Sequence, residues 1–343
     1  MNPSRSTIRD VAVAAGVSIS TVSKALNGTG RVAHDTQLKV ADAAATLGFL
    51  PPRRRRPTPD KDIRIGVLTC DAYGRFTLPI LLGAEDAFEP GHATVLMCDT
   101  RDDPLREEFY LESFLRRGVD GIIATGVSND PRPSLSALVP IPVVYAFQPS
   151  EDPSDCSLVP DDRQAASLVV AHLRAIGRRA ICYIGGPAAQ GAVSRRYDGL
   201  VSALQQEGIA LAHPAVFTDW SERAGQEAVT SLIRARVTFD AVYCASDQLA
   251  RGAVLGLRES GRSVPGDVAV VGVDNWSVIA EAARPQLTTV DLQLERMGLR
   301  AAQLLAQARD GRPLPAGEHA LPGRLVRRGS TEAGLHTRRS RSR

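Results

Sequence analysis

The sequence predicts a small α-helical head followed by an α/β core of two lobes, and three observations carry that reading. Residues 7–26, TIRDVAVAAGVSISTVSKAL, hold two short segments of helical spacing on either side of Gly16. From Ile63 onward, short apolar runs alternate with longer stretches at helical spacing, the pattern of βα units. Those runs fall into two consecutive sets, so two sheets are expected rather than one. A chain of 343 residues has the length for such a division.

In the head, Thr7 and Asp10 stand three residues apart, the start signal in which a hydroxyl residue and an acid cap a helix together. Gly16 lets the chain turn. Ser18 stands where a second helix must begin, so its hydroxyl can accept an orphaned N–H while neighbouring amides face a phosphate. Ile8, Val11, Ala15, Val17, Val22 and Leu26 then point inward, leaving Ile19, Ser20, Thr21, Ser23 and Lys24 for a groove. After a loop at Asn27-Gly28-Thr29-Gly30, the segment from Asp35 to Leu47 resumes helical spacing through Leu38, Val40, Ala44 and Leu47. This is a helix-turn-helix with a third supporting helix. Two helices joined this way also occur as a plain αα corner, but charge argues for DNA. Residues 1–60 hold nine Lys or Arg against four acids, a net of +5 in a chain whose total is +3. A module that neutralises phosphates has this asymmetry, because each neutralised phosphate releases counterions.

The stretch PPRRRRPTP at 51–59 cannot build a core, and its prolines disfavour a regular helix, so it reads as a linker. Beyond it, IRIGVLTC (63–70), ATVLMCDT (93–100), GIIAT (121–125) and PVVYAF (142–147) form the first set of expected strands. RAICYIGG (179–186), AVFTD (215–219), AVYCAS (241–246) and VAVVGVDN (268–275) form the second. Near-continuous apolar strands are buried on both faces, which implies parallel sheets covered by helices.

In such sheets ligands bind beyond the carboxyl ends of the strands. The first run ends in Asp71, Tyr73, Arg75 and Phe76, and the run ending at Gly185-Gly186 leads to Arg195 and Arg196. Later runs end at Asp219-Trp220, Ser246-Asp247 and Asp274-Asn275-Trp276. Carboxylates, a guanidinium and indoles together suit a small polyhydroxylated ligand, with hydrogen bonds at its hydroxyls and its ring faces stacked on Trp.

Composition is ordinary for a globular chain, 43% hydrophobic and 23% charged, and no apolar run approaches the ~18 residues of a membrane span. The start MNPSRSTIRD lacks an apolar leader core, so a cytoplasmic protein is expected. Cys70, Cys98, Cys156, Cys182 and Cys244 are far apart and form no C-x-x-C pair, which signals neither a disulfide framework nor a zinc site. Four lie in apolar runs and read as buried thiols, while Cys156 reads as part of a polar loop. An enzyme finds little support: no G-x-G-x-x-G follows the first run, no G-x-x-x-x-G-K-[ST] occurs, and Gly185-Gly186-Pro187 lacks the spacing of a phosphate cradle. None of His34, His92, His172, His213, His319 and His336 sits in a metal-ligand or nucleophile-activating pattern. No cofactor or metal is expected. A solute receptor would share the two-lobed core, but the basic head and the missing leader argue against it.

These residues resemble the LacI/GalR family of bacterial repressors from about Thr7 to Thr331. The head motif is DVAVAAGVSISTVSKALNG. In the core the resemblance rests on VDGII (119–123), IGGP (184–187), RYDGL (196–200), ASDQLARGAV (245–254), VPGDVAVVGVDN (264–275), LTTV (287–290) and RLVRRGST (324–331). It implies a DNA-binding head over 1–51, a linker over 52–61, and a core over 62–330 that binds an effector and dimerises. The core is then two Rossmann-like, periplasmic-binding-protein-like lobes, lobe one about 62–160 and 291–322, lobe two about 161–290 and 323–330. A basic tail over 331–343 is expected to be disordered. The implied partners are palindromic operator DNA, a second copy of the chain and a small effector, a sugar with a purine as the alternative, and no membrane.

Carried over position by position, Ile19 and Ser20 read bases, with Lys24 on a base or a phosphate. Thr7, Ser18, Thr21, Ser23, Asn27 and Arg31 complete the DNA-binding set. Lys24 stands where the family more often has Arg, and a point charge without the bidentate fork should prefer guanine less strictly. Arg196, Trp220 and Asp274 match effector-contacting positions, and Asp71, Tyr73 and Phe76 fall in the loop that lines the family's cleft. Ser246 departs from the usual Asn. The family's Asn-x-x-Ala-x-x-Leu-like hinge helix is replaced here by Pro52, Arg55 and Thr58, so no leucine wedge is expected. Arg53, Arg54, Arg55 and Arg56 read instead as an extended basic arm on the minor groove or on phosphates.

Overall fold

The computed structural model describes residues 7–27, 34–47 and 62–332. Two units divide the chain, one up to residue 61 and one from residue 62. Arg31, Arg53 to Arg56 and the tail from residue 333 lie outside the described residues, as do the side chains of Ile8, Ser23, Leu26, Asn27 and Leu38.

The head contains α1 (Ile8–Ala15), α2 (Ile19–Asn27) and α3 (His34–Thr46). The Thr7 N–H and hydroxyl both donate to the Asp10 carboxylate at 2.7 Å, the acid half of the capping signal. Gly16 takes φ +65°, a backbone state that costs a residue without Cβ nothing. Ser18 then caps α2, its hydroxyl accepting from the Thr21 N–H at 3.1 Å. Val11, Val22, Val40 and Ala44 meet in a small buried core, with Ala12 and Ala43 completing it. Ala15, Val17 and Leu47 pack half-buried around it.

The larger unit begins with β1 (Ile63–Thr69), α4 (Thr77–Asp86), β2 (Ala93–Asp99), α5 (Pro104–Arg116), β3 (Gly121–Ala124), β4 (Val143–Ala146) and β5 (Cys156–Pro160). It continues through α6 (Asp162–Ala175), β6 (Ile181–Gly185), α7 (Gly191–Gln206), β7 (Val216–Phe217), α8 (Glu222–Arg234), β8 (Ala241–Cys244), α9 (Asp247–Glu259) and β9 (Ala269–Asp274). Then come α10 (Ser277–Ala280), β10 (Thr288–Asp291), α11 (Leu294–Arg309), β11 (Gly317–Leu321) and β12 (Arg324–Val326). Two six-stranded sheets result, ordered β11-β5-β4-β3-β1-β2 and β12-β10-β9-β8-β6-β7. The first is parallel throughout. In the second, β12 runs antiparallel on β10, so that sheet is not wholly parallel as the patterning suggested.

The eight expected strands are all present. Four others, β5, β10, β11 and β12, are not prominent in the apolar pattern, because Ser157, Pro160, Thr288, Thr289, Glu318 and His319 break their runs. The reading of Cys156 as a loop residue is corrected: it opens β5, is buried, and pairs in register with Val144 and Gly317. Thr331, expected at the start of a free tail, is also buried. Its hydroxyl lies 2.8 Å from His172 Nε2 and 2.7 Å from the Thr288 hydroxyl.

Two helix pairs touch through glycine. A Cβ on Gly83 would lie 1.8 Å from the Glu295 carbonyl oxygen and one on Gly298 1.9 Å from that of Ile80, so α4 and α11 approach backbone to backbone. Likewise a Cβ on Gly252 would lie 1.8 Å from the Glu222 carbonyl oxygen, which sets α9 equally close to α8. Among the described residues no helix is long and apolar enough to cross a membrane.

Candidate functional site

The carboxyl ends of both sheets' strands converge on one cavity of about 280 Å³. From the first sheet come Arg75 and Phe76 after β1, Val127, Ser128 and Asn129 after β3, and Phe147 after β4. The second sheet contributes Gln190, Ala192 and Arg196 beyond β6, Trp220 after β7, Ser246 after β8 and Asp274 at the end of β9.

Of the seven residues expected at an effector, the structure brings five together: Phe76, Arg196, Trp220, Ser246 and Asp274. Asp71 and Tyr73 do not line the cavity. Asp71 is buried and its carboxylate accepts from the Phe76 and Thr77 N–H groups at 2.8 and 3.1 Å, so it caps α4. Tyr73 is 91% exposed. Ser246 faces the cavity, yet its hydroxyl accepts from the Leu249 N–H at 3.2 Å and caps α9.

Aromatic faces form the apolar part. Phe76 stacks on Phe147 with ring centres 4.2 Å apart at 17°, and the Trp220 indole N–H donates to Gln190 Oε1 at 2.7 Å. A Cβ on Gly186 would lie 2.5 Å from the Trp220 ring, so only glycine lets the indole lie against the end of β6.

The polar part is organised by Asp162, a carboxylate that no sequence motif marks. Its side chain is fully buried and pairs with Arg196 Nε at 2.8 Å and Arg195 Nε at 3.3 Å. Asn129 donates to it at 2.9 Å. Arg196 also donates to the Ala245 carbonyl at 2.6 Å, so this guanidinium is fixed between α6 and the end of β8. Burial alone would push it down, but the charge of Asp162 and then of Asp274 raises it above its ordinary value. Asp162 follows β5; once that strand is missed, nothing points to the acid beyond it.

Asp274 is held from the opposite sheet. Arg75 donates to its carboxylate and to Gln248 Oε1, the latter at 2.7 Å. Asp274 and Asn275 take φ +109° and +55°, left-handed values that cost a residue with a Cβ roughly 1–3 kcal/mol and collect at binding sites. Behind Asp274 lies Asp247, buried, accepting from the Trp276 N–H at 2.8 Å. Burial and then the charge of Asp274 push the Asp247 carboxyl up to about 8. Burial therefore favours the neutral form of Asp247, while Arg75 pairs with Asp274 and both Arg195 and Arg196 pair with Asp162. Among the described residues each charged side chain lining the cavity has an oppositely charged partner, and no cluster of His, Cys, Asp and Glu fits a metal ion.

In the head, Ile19 is 43% exposed, and Thr7, Ser18, Ser20 and Lys24 are exposed with Thr21 half-buried. The Ser18 hydroxyl also lies 2.9 and 2.8 Å from those of Ser20 and Thr21, so one cap organises the first turn of α2.

Residues 7–52 match the family model of bacterial regulatory proteins, lacI family, and residues 170–331 match the periplasmic binding protein-like domain. The chain is 33% identical to the HTH-type transcriptional regulator MalR of Streptomyces coelicolor, over 94% of this chain and 96% of that protein. It is 28% identical to the ribose operon repressor of Halalkalibacterium halodurans, over 96% and 98%. Among solved structures it is similar to the Lac repressor dimer bound to operator and the anti-inducer ONPF, with TM-score 0.67, 26% identity, and coverage of 96% and 100%. The regulator CelR in complex with cellobiose gives TM-score 0.63, 28% identity, and coverage of 95% and 100%.

Proposed function

From the premise that the chain belongs to the LacI family of bacterial regulatory proteins, we propose that it is a repressor whose grip on operator DNA is set by a neutral sugar in the cavity between its two sheets. The observation that carries the sugar is the internal pairing of the cavity's charged side chains beside its aromatic faces. Arg75 and Arg196 each have a carboxylate partner within the protein. Phe76, Phe147 and Trp220 offer apolar faces, while Asn129, Gln190 and Asp274 offer the donors and acceptors that hydroxyls need. A charged ligand would have to break one of those pairs.

The output is the head. A homodimer places two α2 helices in successive major grooves of a palindromic operator, with Ile19, Ser20 and Lys24 toward the bases and Thr7, Ser18, Thr21, Ser23, Asn27 and Arg31 toward the backbone. The run Arg53 to Arg56 adds phosphate or minor-groove contact. Such a regulator works in the cytoplasm. Proteins of this family regulate transcription and are not enzymes.

The flat rings also favour a purine as the second reading, because a base stacks on Phe and Trp as a sugar does. Melting curves against neutral mono- and disaccharides, sugar acids, and adenine and hypoxanthine test both. A ligand bound only by the folded chain at 100 times its Kd adds about 2.7 kcal/mol. A neutral sugar should raise the melting temperature, and Trp220→Ala should abolish the rise. A shift produced by purines or acids alone would overturn the sugar reading.

A further inference from the structure

The Asp274 side chain is only 6% exposed, and the group that occupies it comes from the facing lobe. Arg75, in the turn between β1 and α4, reaches across the cleft to Asp274 with one terminal nitrogen and to Gln248 with the other. Its guanidinium carbon lies 4.9 Å from the Phe76 ring centre and 5.0 Å from that of Trp276. Arg75 Nε is buried with no partner among the described residues. We infer that Arg75 is a specificity-determining residue, an internal counter-ligand of Asp274 with which the effector must trade. This rests on the sugar-sensing reading and deepens it.

A carboxylate only accepts hydrogen bonds and a guanidinium only donates them. Both groups are withdrawn from water, so a molecule that satisfies one and strands the other leaves an unpaired buried charge, which is strongly disfavoured. Entry therefore requires a donor for Asp274 and an acceptor for Arg75 on adjacent atoms. A vicinal diol supplies both, one O–H donating to the carboxylate and the neighbouring oxygen accepting from the guanidinium. The unpartnered Nε is a further donor for that oxygen. An ammonium or a carboxylate supplies one function and strands the other group, and a single hydroxyl can serve both only by bridging them through one oxygen, whereas a diol gives each its own partner.

Trp220 and Trp276 are the chain's two tryptophans, so Trp220→Phe leaves Trp276, beside Arg75, as the single indole reporter. In the full-length Trp220→Phe protein without added sugar, Arg75→Ala should red-shift the emission and raise its quenching by acrylamide. Millimolar methylguanidinium should reverse part of both changes. Unchanged emission and quenching overturn the pairing. Should Arg75→Ala fail to fold, Gln248→Ala removes the second anchor and should shift emission the same way by less.

In a second arm, calorimetry on otherwise wild-type protein compares D-glucose and D-galactose with their 2-deoxy and 3-deoxy forms. A site built to hydrogen-bond a hydroxyl rejects an analogue lacking it by as much as about 10⁴-fold. Wild type should discriminate by at least about 100-fold at one of the two positions, and Arg75→Ala should bring that ratio below about tenfold. Equal discrimination in both proteins overturns the specificity role. If no neutral sugar binds wild type, the sugar reading and the specificity role fall together. The emission arm separately decides whether Arg75 sits in the cleft against Trp276, the placement its pairing with Asp274 requires.

Discussion

Replacing Asp247 by Asn should stabilise the protein progressively, relative to wild type, as pH rises from about 5 to 8. Asp247 opens α9 with a buried carboxyl that accepts from the Trp276 N–H at 2.8 Å, and its other oxygen has no partner among the described residues. Burial first and the charge of Asp274 second push it from an ordinary 3.8 up to about 8. The folded chain thus holds this proton more tightly than the unfolded chain. Its stabilising contribution is complete below about pH 4 and is lost as pH climbs to about 8. At about 1.4 kcal/mol per pH unit, that span sets an upper limit on the order of 5 kcal/mol. Asn keeps the acceptor for Trp276 and carries no charge at any pH, so the variant has nothing to lose. Urea unfolding of both proteins at pH 5, 6, 7 and 8 reads the difference, which should move toward the variant by up to about 1.4 kcal/mol per pH unit. Parallel stability curves over that range would refute the buried neutral carboxyl.

Three further outcomes follow from the site and the head. Arg196→Ala strips Asp162 of its closest cationic partner. It should cost about 3–5 kcal/mol of stability and abolish the sugar-induced melting shift; a loss under about 1 kcal/mol would show that the pair is not the cavity's anchor. Exchanging Ile19 and Ser20 for another pair should change the half-site selected from a randomised operator pool while leaving sugar affinity unaltered, and an unchanged selection removes both residues from base reading. Converting Arg53, Arg54, Arg55 and Arg56 to Ala should flatten the salt dependence of operator binding, lowering its logarithmic slope by about 0.9 for every phosphate left without its arginine, so an equal slope in the two proteins rules out the basic arm.

The fold was legible wherever burial coincides with apolar composition. Val11 and Val22 in the head and the runs of β1, β6, β8 and β9 satisfy that condition. It fails at β5, where Ser157 is 1% exposed because its hydroxyl accepts from the Ser150 N–H at 3.0 Å. A buried polar residue whose partner lies elsewhere in the chain leaves no periodic trace. The same holds at the site. Asp274 and Trp220 stand at the ends of recognisable runs, whereas Asp162 follows the unrecognised β5 and Arg75 acquires its role from Gln248 and Asp274, about two hundred residues away. Asp71 shows the opposite problem: an acid beyond a strand is as fit to cap the next helix as to meet a ligand, and only the N–H groups of Phe76 and Thr77 decide between them.

Three chain crossings join the sheets, between β5 and α6, between β10 and α11, and between β11 and β12. They are laced side by side. The Asp161 N–H donates to the Leu321 carbonyl at 2.9 Å, the Gly323 N–H to Gln164 Oε1 at 3.0 Å, and Arg324 reaches Asp291 at 3.4 Å. Extended crossings of this kind act as hinges, because a few residues absorb the change in φ and ψ while each packed sheet moves as a body. Contacts across the mouth are polar: Arg75 with Asp274, the Gly191 N–H to Asp130 at 2.7 Å, and Arg195 to the Asn129 carbonyl at 3.2 Å. Opening of the lobes would exchange these contacts for water and spare the buried strands. An effector needs only a modest preference for one arrangement of the lobes, since about 1–3 kcal/mol of coupling changes affinity at a second site by roughly 5- to 150-fold. Asp274 is where that preference is most readily generated, because its cationic partner sits on the opposite lobe, whereas the arginines paired with Asp162 belong to the same sheet's helices.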